Sequence, residues 1–177
     1  GRIYGFSGGL GLYAIEGKEM GIFMAHKALT NEKGQYVVNA QTGLPESSEE
    51  TVEIGSMNHK YQMGISNSFS YKGVSLSFDI DIRMGGLLYS RTKDIEYFTG
   101  NAIQTAYNDR NPFIVPNSVI DNGDGTYSEN NIPLYGQNIY TYWDNGGLEM
   151  ESFALIDKSF VKLRQVVLSW DIPSKWL

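Results

Sequence analysis

Tyr61-Gln-Met-Gly-Ile-Ser-Asn-Ser-Phe-Ser-Tyr-Lys-Gly-Val-Ser-Leu-Ser-Phe-Asp-Ile-Asp-Ile-Arg-Met84 is the stretch on which the fold turns. In its first half Tyr61, Met63, Ile65, Phe69 and Tyr71 share one parity, broken only by Asn67, while Gln62, Gly64, Ser66, Ser68 and Ser70 share the other. The second half alternates more strictly, with Val74, Leu76, Phe78, Ile80, Ile82 and Met84 on one face and Ser75, Ser77, Asp79, Asp81 and Arg83 on the other. A period of two is the mark of a β-strand. Lys72-Gly73 between the halves supplies a tight turn, glycine taking the positive φ that hairpin turns demand. Two long antiparallel strands are therefore expected, each well beyond the common length of about five or six residues.

An alternating strand serves a soluble sandwich or a membrane barrel equally well. The uninterrupted apolar band of the second strand, opposite serines and charges suited to a wet interior, matches a transmembrane barrel strand, apolar toward lipid and polar toward the lumen. On this reading Val74, Leu76, Phe78, Ile80 and Ile82 face lipid, and Ser75, Ser77, Asp79, Asp81 and Arg83 face the lumen.

A third strand is expected over Phe160 to Trp170. Val161 and Leu163 fall on one parity and Val166, Leu168 and Trp170 on the other, so the phase slips near Arg164 and Gln165. A β-bulge, one extra residue on one strand of a pair, absorbs such a slip. Asp171, Ile172, Pro173 and Ser174 end the strand, because proline offers no ladder donor.

Working outward, residues 85–158 form a long polar segment. Ile95, Phe98, Ala102 and Ala106 at helical spacing predict a short helix over Asp94 to Ala106. Ser118 to Asp121 and Thr126 to Ser128 flank Asn122-Gly-Asp-Gly125 as a small hairpin. So long a loop is rare in a compact soluble domain and ordinary outside a barrel, where outer loops are long and periplasmic turns short. Residues 1–60 read similarly: short strands at Tyr13 to Ile15, Met20 to His26 and Gln35 to Val38, a turn at Asn31 to Gly34, and a polar acidic run from Thr42 to Glu53.

Composition limits the alternatives. The 177 residues carry 14 basic and 20 acidic side chains, a net charge of -6 that argues against a nucleic-acid surface. Cysteine is absent, which removes disulfides, thiol nucleophiles and thiolate metal sites. No run approaches the ~18 apolar residues of a transmembrane helix, so any membrane insertion uses strands. Gly1 to Gly11 lacks the charged and apolar regions of a signal peptide, and the chain is expected to begin inside a longer protein.

Catalytic and metal readings are weaker. Asp121, Gly123 and Gly125 suggest a calcium loop, but Ile132 stands where an EF-hand needs its bidentate Glu. His26 and His59 have no metal-ligand spacing, Ser66, Ser68 and Ser70 have no histidine at motif distance, and Asp79 and Asp81 read better as luminal charges beside Arg83 than as a glycosidase pair. No catalytic residue, metal ligand or cofactor is expected. The loop aromatics Tyr97, Phe98, Tyr107, Phe113, Tyr140, Tyr142 and Trp143 are the candidates for contact with a substrate or partner.

Several segments resemble, in the same order, the late barrel of SusC/RagA-type TonB-linked outer-membrane transporters: Gly64 to Gly86; Thr105-Ala-Tyr-Asn-Asp-Arg-Asn-Pro-Phe-Ile-Val-Pro-Asn-Ser-Val119 with the Asp121 to Tyr127 turn; Tyr142-Trp143; and Ser159 to Trp170. The chain departs from that family in carrying Asn58-His59-Lys60-Tyr61 where an Asn-Pro-Asp-Trp-like sequence is usual, and in lacking the plug, the TonB-contacting segment and the last strands. The resemblance implies an all-β fragment of a large antiparallel transmembrane β-barrel, 22-stranded in the family, in the bacterial outer membrane. It divides the chain into a loop region at 1–60, a transmembrane hairpin at 61–84, a long extracellular loop at 85–158, and a strand with the start of a periplasmic turn at 159–177. The implied function is import of oligosaccharides or peptides together with a SusD-like surface lipoprotein, powered through the TonB complex, with no enzymatic role. The alternative is a soluble or surface-attached β-sandwich that binds carbohydrate.

Overall fold

A computed structural model describes residues 1–173 and 175. Strands hold 41% of the chain and helices 19%, so the expected all-β protein is mostly β with antiparallel sheets, and it carries helices as well. The chain divides into two compact units, one of residues 1–56 and 89–156 and one of residues 57–88 and 157–177. The two loop regions read separately from sequence thus form a single unit, and the transmembrane candidates form the other.

In chain order the strands are β1 (Arg2–Gly5), β2 (Gly11–Tyr13), β3 (Ile22–Ala25), β4 (Tyr36–Val38), β5 (Val52–Ser56), β6 (Tyr61–Tyr71), β7 (Val74–Met84), β8 (Leu87–Tyr89), β9 (Ser118–Asp121), β10 (Tyr127–Glu129), β11 (Leu155–Asp157) and β12 (Phe160–Trp170). They are joined by two α-helices, α1 (Arg91–Phe98) and α2 (Gln137–Asp144), and by kinked 3-10 segments at Ile103–Arg110 and Gly147–Ala154. The sheets run β1-β2-β3-β5, β10-β9-β4, β11-β8 and β12-β7-β6. No closed barrel forms among the described residues.

The β12-β7-β6 sheet carries the sequence argument. Each strand has 11 residues. Lys72 and Gly73 both have positive φ, 48° and 80°, as a two-residue type I′ hairpin turn requires. Register is unbroken from Tyr61↔Met84 to Tyr71↔Val74. On the other side β12 pairs with β7 from Phe160↔Arg83 to Trp170↔Val74, and the register shifts between Leu163 and Gln165. Arg164 is the unpaired bulge residue, at the position where the hydrophobic phase slips. The bulge is what lets Val161 and Leu163 share a face with Val166, Leu168 and Trp170. Among the described residues no further strand pairs with the far edge of β6 or of β12.

The other unit has a conventional core. Val38, Phe113, Val115, Leu134 and Tyr142 form one buried cluster, and Tyr97, Ala102, Phe153 and Ala154 a second. The hairpin expected around Asn122 is present as β9 and β10, and β9 also pairs in parallel with β4, a long-range partner that local pattern does not reveal. The helix expected to run from Asp94 to Ala106 stops at Phe98 instead. Gly100 takes φ +71°, its N–H bonds to Tyr97 O at 3.1 Å and Asn101 N–H to Glu96 O at 2.8 Å, a Schellman motif that ends the helix. Ser174, read as part of the strand stop, and Trp176, which the barrel reading would set with Trp170 and Tyr71 in an aromatic girdle at one membrane edge, lie outside the described residues.

Candidate functional site

Strand pairing assembles the sheet's two faces in rows. Ile82 lies between Met63 and Val161, Ile80 between Ile65 and Leu163, Phe78 between Asn67 and Val166, Leu76 between Phe69 and Leu168, and Val74 between Tyr71 and Trp170. The five residues assigned to lipid contact therefore form the spine of one apolar face three strands wide. That face is open: Leu163 is 62% exposed, Leu168 72% and Tyr71 71%, and among the described residues of the unit no second sheet covers it. Removing so many large side chains from water requires another apolar phase, since each is worth about 1.5–3 kcal/mol when buried.

On the opposite face Ser75, Ser77, Asp79, Asp81 and Arg83 sit beside Ser70, Ser68, Ser66, Gly64 and Gln62 of β6. Ser70 and Ser75 hydroxyls meet at 2.6 Å. Arg164 donates from Nη2 and Nε to Asp81 Oδ2 at 2.5 and 3.1 Å, and Arg83 Nε lies 3.5 Å from Asp81 Oδ1. Asp81 is thus held between two guanidinium groups. That arrangement suits a countercharge better than a catalytic acid.

The loop aromatics separate into two groups. Phe113 and Tyr142 are core residues, 8% and 6% exposed, and burial raises the Tyr142 phenol to about 12, with Tyr107 and Tyr36 adding smaller contributions. Rings enclosed by Val38, Val115 and Leu134 cannot meet a solute, so these two candidates are structural. Tyr107 packs its ring against Phe113 at 4.9 Å.

The other four line a cleft of about 370 Å³ between α1 and α2. Ser90 starts α1 by accepting from Lys93 N–H at 3.2 Å, and Asp94 in the first turn accepts from Tyr89 Oη at 2.8 Å and Arg91 Nη1 at 2.5 Å. The helix so placed directs Tyr97 inward, 4.6 Å from the Phe153 ring, and leaves Phe98 57% exposed. From α2, Tyr140 meets Phe98 edge-on at 6.3 Å and is 41% exposed, while Trp143 stands 6.3 Å from Tyr97. Trp143 Nε1 is buried without a hydrogen-bond partner. Thr105 and Arg110 close the cleft, Arg110 anchored to Gly100 O at 2.8 Å. These two were not among the sequence candidates. Only Ile139, Tyr140 and Trp143 at spacings of one and three residues hinted at the helix that makes the cleft.

A smaller cavity of about 200 Å³ is lined by Asp94, Asp144, Glu151 and Tyr89. Burial, and after it the Asp94 carboxylate, push Asp144 above the ordinary carboxylate range. Glu151 is engaged, accepting from Gly9 N, His26 N and His26 Nδ1 at 2.8–2.9 Å. His59 Nδ1 lies 2.8 Å from Gly85 O. At the hairpin tip Asp121 accepts from Gly123 N–H and Asp124 from Thr126 N–H, side chains spent on their own turn. Among the described residues no cluster of three or more His, Asp or Glu is arranged to hold a metal ion, and no helix is long and apolar enough to cross a membrane. No protein-family model and no curated protein sequence matches this chain.

Proposed function

We propose that this chain is wall and outer loops of a TonB-dependent outer-membrane transporter of the SusC/RagA kind, which imports oligosaccharides or peptides with a SusD-like lipoprotein. The observation that carries the reading is the exposed three-strand apolar face, backed by a polar face and bordered by two open edges. A soluble protein would suffer aggregation through both features. In a barrel wall, lipid covers the face and further strands of the same polypeptide close the edges. The tight Lys72-Gly73 turn then lies on the periplasmic side, and residues 85–158 lie outside, presenting the Phe98/Tyr140 cleft to solute or lipoprotein.

A carbohydrate-binding module would use the same aromatic cleft, but it leaves the apolar face without a cover. Cysteines placed at Asn122 and at Lys72 of the full-length protein distinguish the readings. On intact cells a membrane-impermeant maleimide should label the first and not the second, and the second only after the outer membrane is opened. Recovery of the protein in the soluble fraction, or labelling in the reverse pattern, refutes the proposal.

A further inference from the structure

The polar face of the β12-β7-β6 sheet is uncharged and mostly serine at its hairpin end and strongly charged at the other. Phe160, opposite Arg83, is ringed by three cations: Lys162 Nζ lies 5.1 Å from the ring centroid, Arg83 Cζ 5.5 Å and Arg164 Cζ 5.6 Å. An aromatic ring attracts cations electrostatically and keeps water from one side of them. Two more lysines join at the strand starts. Lys60 N–H extends the ladder to Met84 O at 2.8 Å and Lys158 N–H bonds to Gly86 O at 3.0 Å. The Lys60 stem lies across Gly85, where a Cβ would come within 2.8 Å of Lys60 Cγ.

Against these five cations stand Asp79, Asp81 and Asp157. Only Asp81 makes an ion pair with the Phe160 group, and it is shared by two arginines. Buried Arg83 Nε has only its long 3.5 Å ion-pair contact with Asp81 Oδ1, short of a hydrogen bond, and among the described residues Lys162 forms no ion pair. The imbalance extends to the whole unit, which has seven basic and four acidic residues, whereas the other unit has seven and sixteen. In an acidic protein, such a local excess of cations with unsatisfied donors attracts anions and meets them with charge-assisted hydrogen bonds.

We propose that this end of the polar face binds the carboxylate or sulfate groups of an acidic oligosaccharide. The inference rests on the transporter reading, in which the polar face lines the lumen and its charged end is the first that a solute from outside reaches. Cations from β7 and β12, with one more on the residue that leads into β6, suit a repeating anion better than a single one. Arg83 and Arg164 offer planar forks that match a carboxylate or sulfate, Lys162 a point charge, and Phe160 the dry floor beneath them.

The test uses the full-length protein in detergent and isothermal titration calorimetry with three probes: trigalacturonate, a neutral trisaccharide, and tri-aspartate. Trigalacturonate should bind, at least tenfold more weakly at 300 mM than at 50 mM NaCl, while the neutral sugar does not. The R83Q/K162Q double variant should lose at least tenfold in affinity and K162R should retain it. Equal binding of the neutral sugar, no binding of trigalacturonate, tighter binding of tri-aspartate, or an unchanged double variant would each overturn the proposal. Heat-modifiable gel mobility on the same samples keeps the two readings apart. A folded barrel without acid binding rejects the anion site alone, and absence of a barrel rejects the transporter reading beneath it.

Discussion

Arg164, the one unpaired residue of β12, reaches back across the strand gap to place Nη2 2.5 Å from Asp81 Oδ2 on β7. The bulge therefore does two things. It restores the apolar phase, and it aims a cation at the polar face. Deleting Arg164 should separate these roles from a simple charge change. Without the extra residue, Phe160 to Leu163 fall out of phase with Gln165 to Trp170, and one set of apolar side chains turns to the polar side. Barrel assembly, read as heat-modifiable gel mobility, should be lost in the deletion and retained in Arg164→Gln, since an exposed ion pair contributes little. Equal assembly of the two variants would contradict the register argument.

The two faces should also respond differently to charge. Phe78 lies mid-strand between Asn67 and Val166, and Ser77 lies between Ser68 and Val167 on the opposite face. Arginine at Phe78 should cost about 2–4 kcal/mol in refolding into phosphatidylcholine vesicles, and arginine at Ser77 much less. Similar costs at both positions would mean that the Phe78 face does not meet lipid.

Within the helical cleft, exposure predicts which rings serve binding. Phe98→Ala and Tyr140→Ala remove half-exposed rings and should weaken solute or lipoprotein binding by about tenfold, in keeping with ~0.5–1.5 kcal/mol per aromatic contact, with unit stability nearly unchanged. Phe113→Ala, in the core, should instead destabilise its unit by roughly 3–5 kcal/mol. Limited proteolysis beside a binding assay checks both arms, and a Phe98 variant that binds normally removes the cleft from the recognition surface.

Asp144 gives a pH signature. Its carboxyl is raised by burial and by Asp94, and as the last residue of α2 it also sets a negative charge at the negative end of the helix dipole. A carboxyl with a raised folded pKa penalises the folded state where it is ionised, and the penalty disappears as pH falls through that value. Asp144→Asn should therefore slow hydrogen exchange in α2 of the full-length protein at pH 7, by an opening energy of order 0.5 kcal/mol for the dipole contribution alone. The gain should shrink toward zero below the ordinary carboxylate range. A gain that persists unchanged at acidic pH would assign the effect to something other than the charge.

The long alternating strands, their two-residue turn and the bulge at Arg164 were legible because each depends on residues near in sequence: period two sets the face, glycine permits the turn, and a slipped phase demands an extra residue. The hairpin around Asn122 was legible for the same reason. The aromatic cleft was not, because it needs α1 stopped by Gly100 and set beside α2, and neither the stop nor the pairing follows from the apolar spacing that suggested a longer helix. Nor did composition distinguish Phe113 and Tyr142, enclosed by Val38 and Leu134, from Phe98 and Tyr140, which reach solvent. The sequence alone thus determined strand, face and register, which are local and periodic. Tertiary structure decided which aromatics stay exposed, that residues 1–56 and 89–156 form one compact unit, and that Arg83, Lys162 and Arg164 meet around Phe160, because each depends on segments brought together from distant parts of the chain.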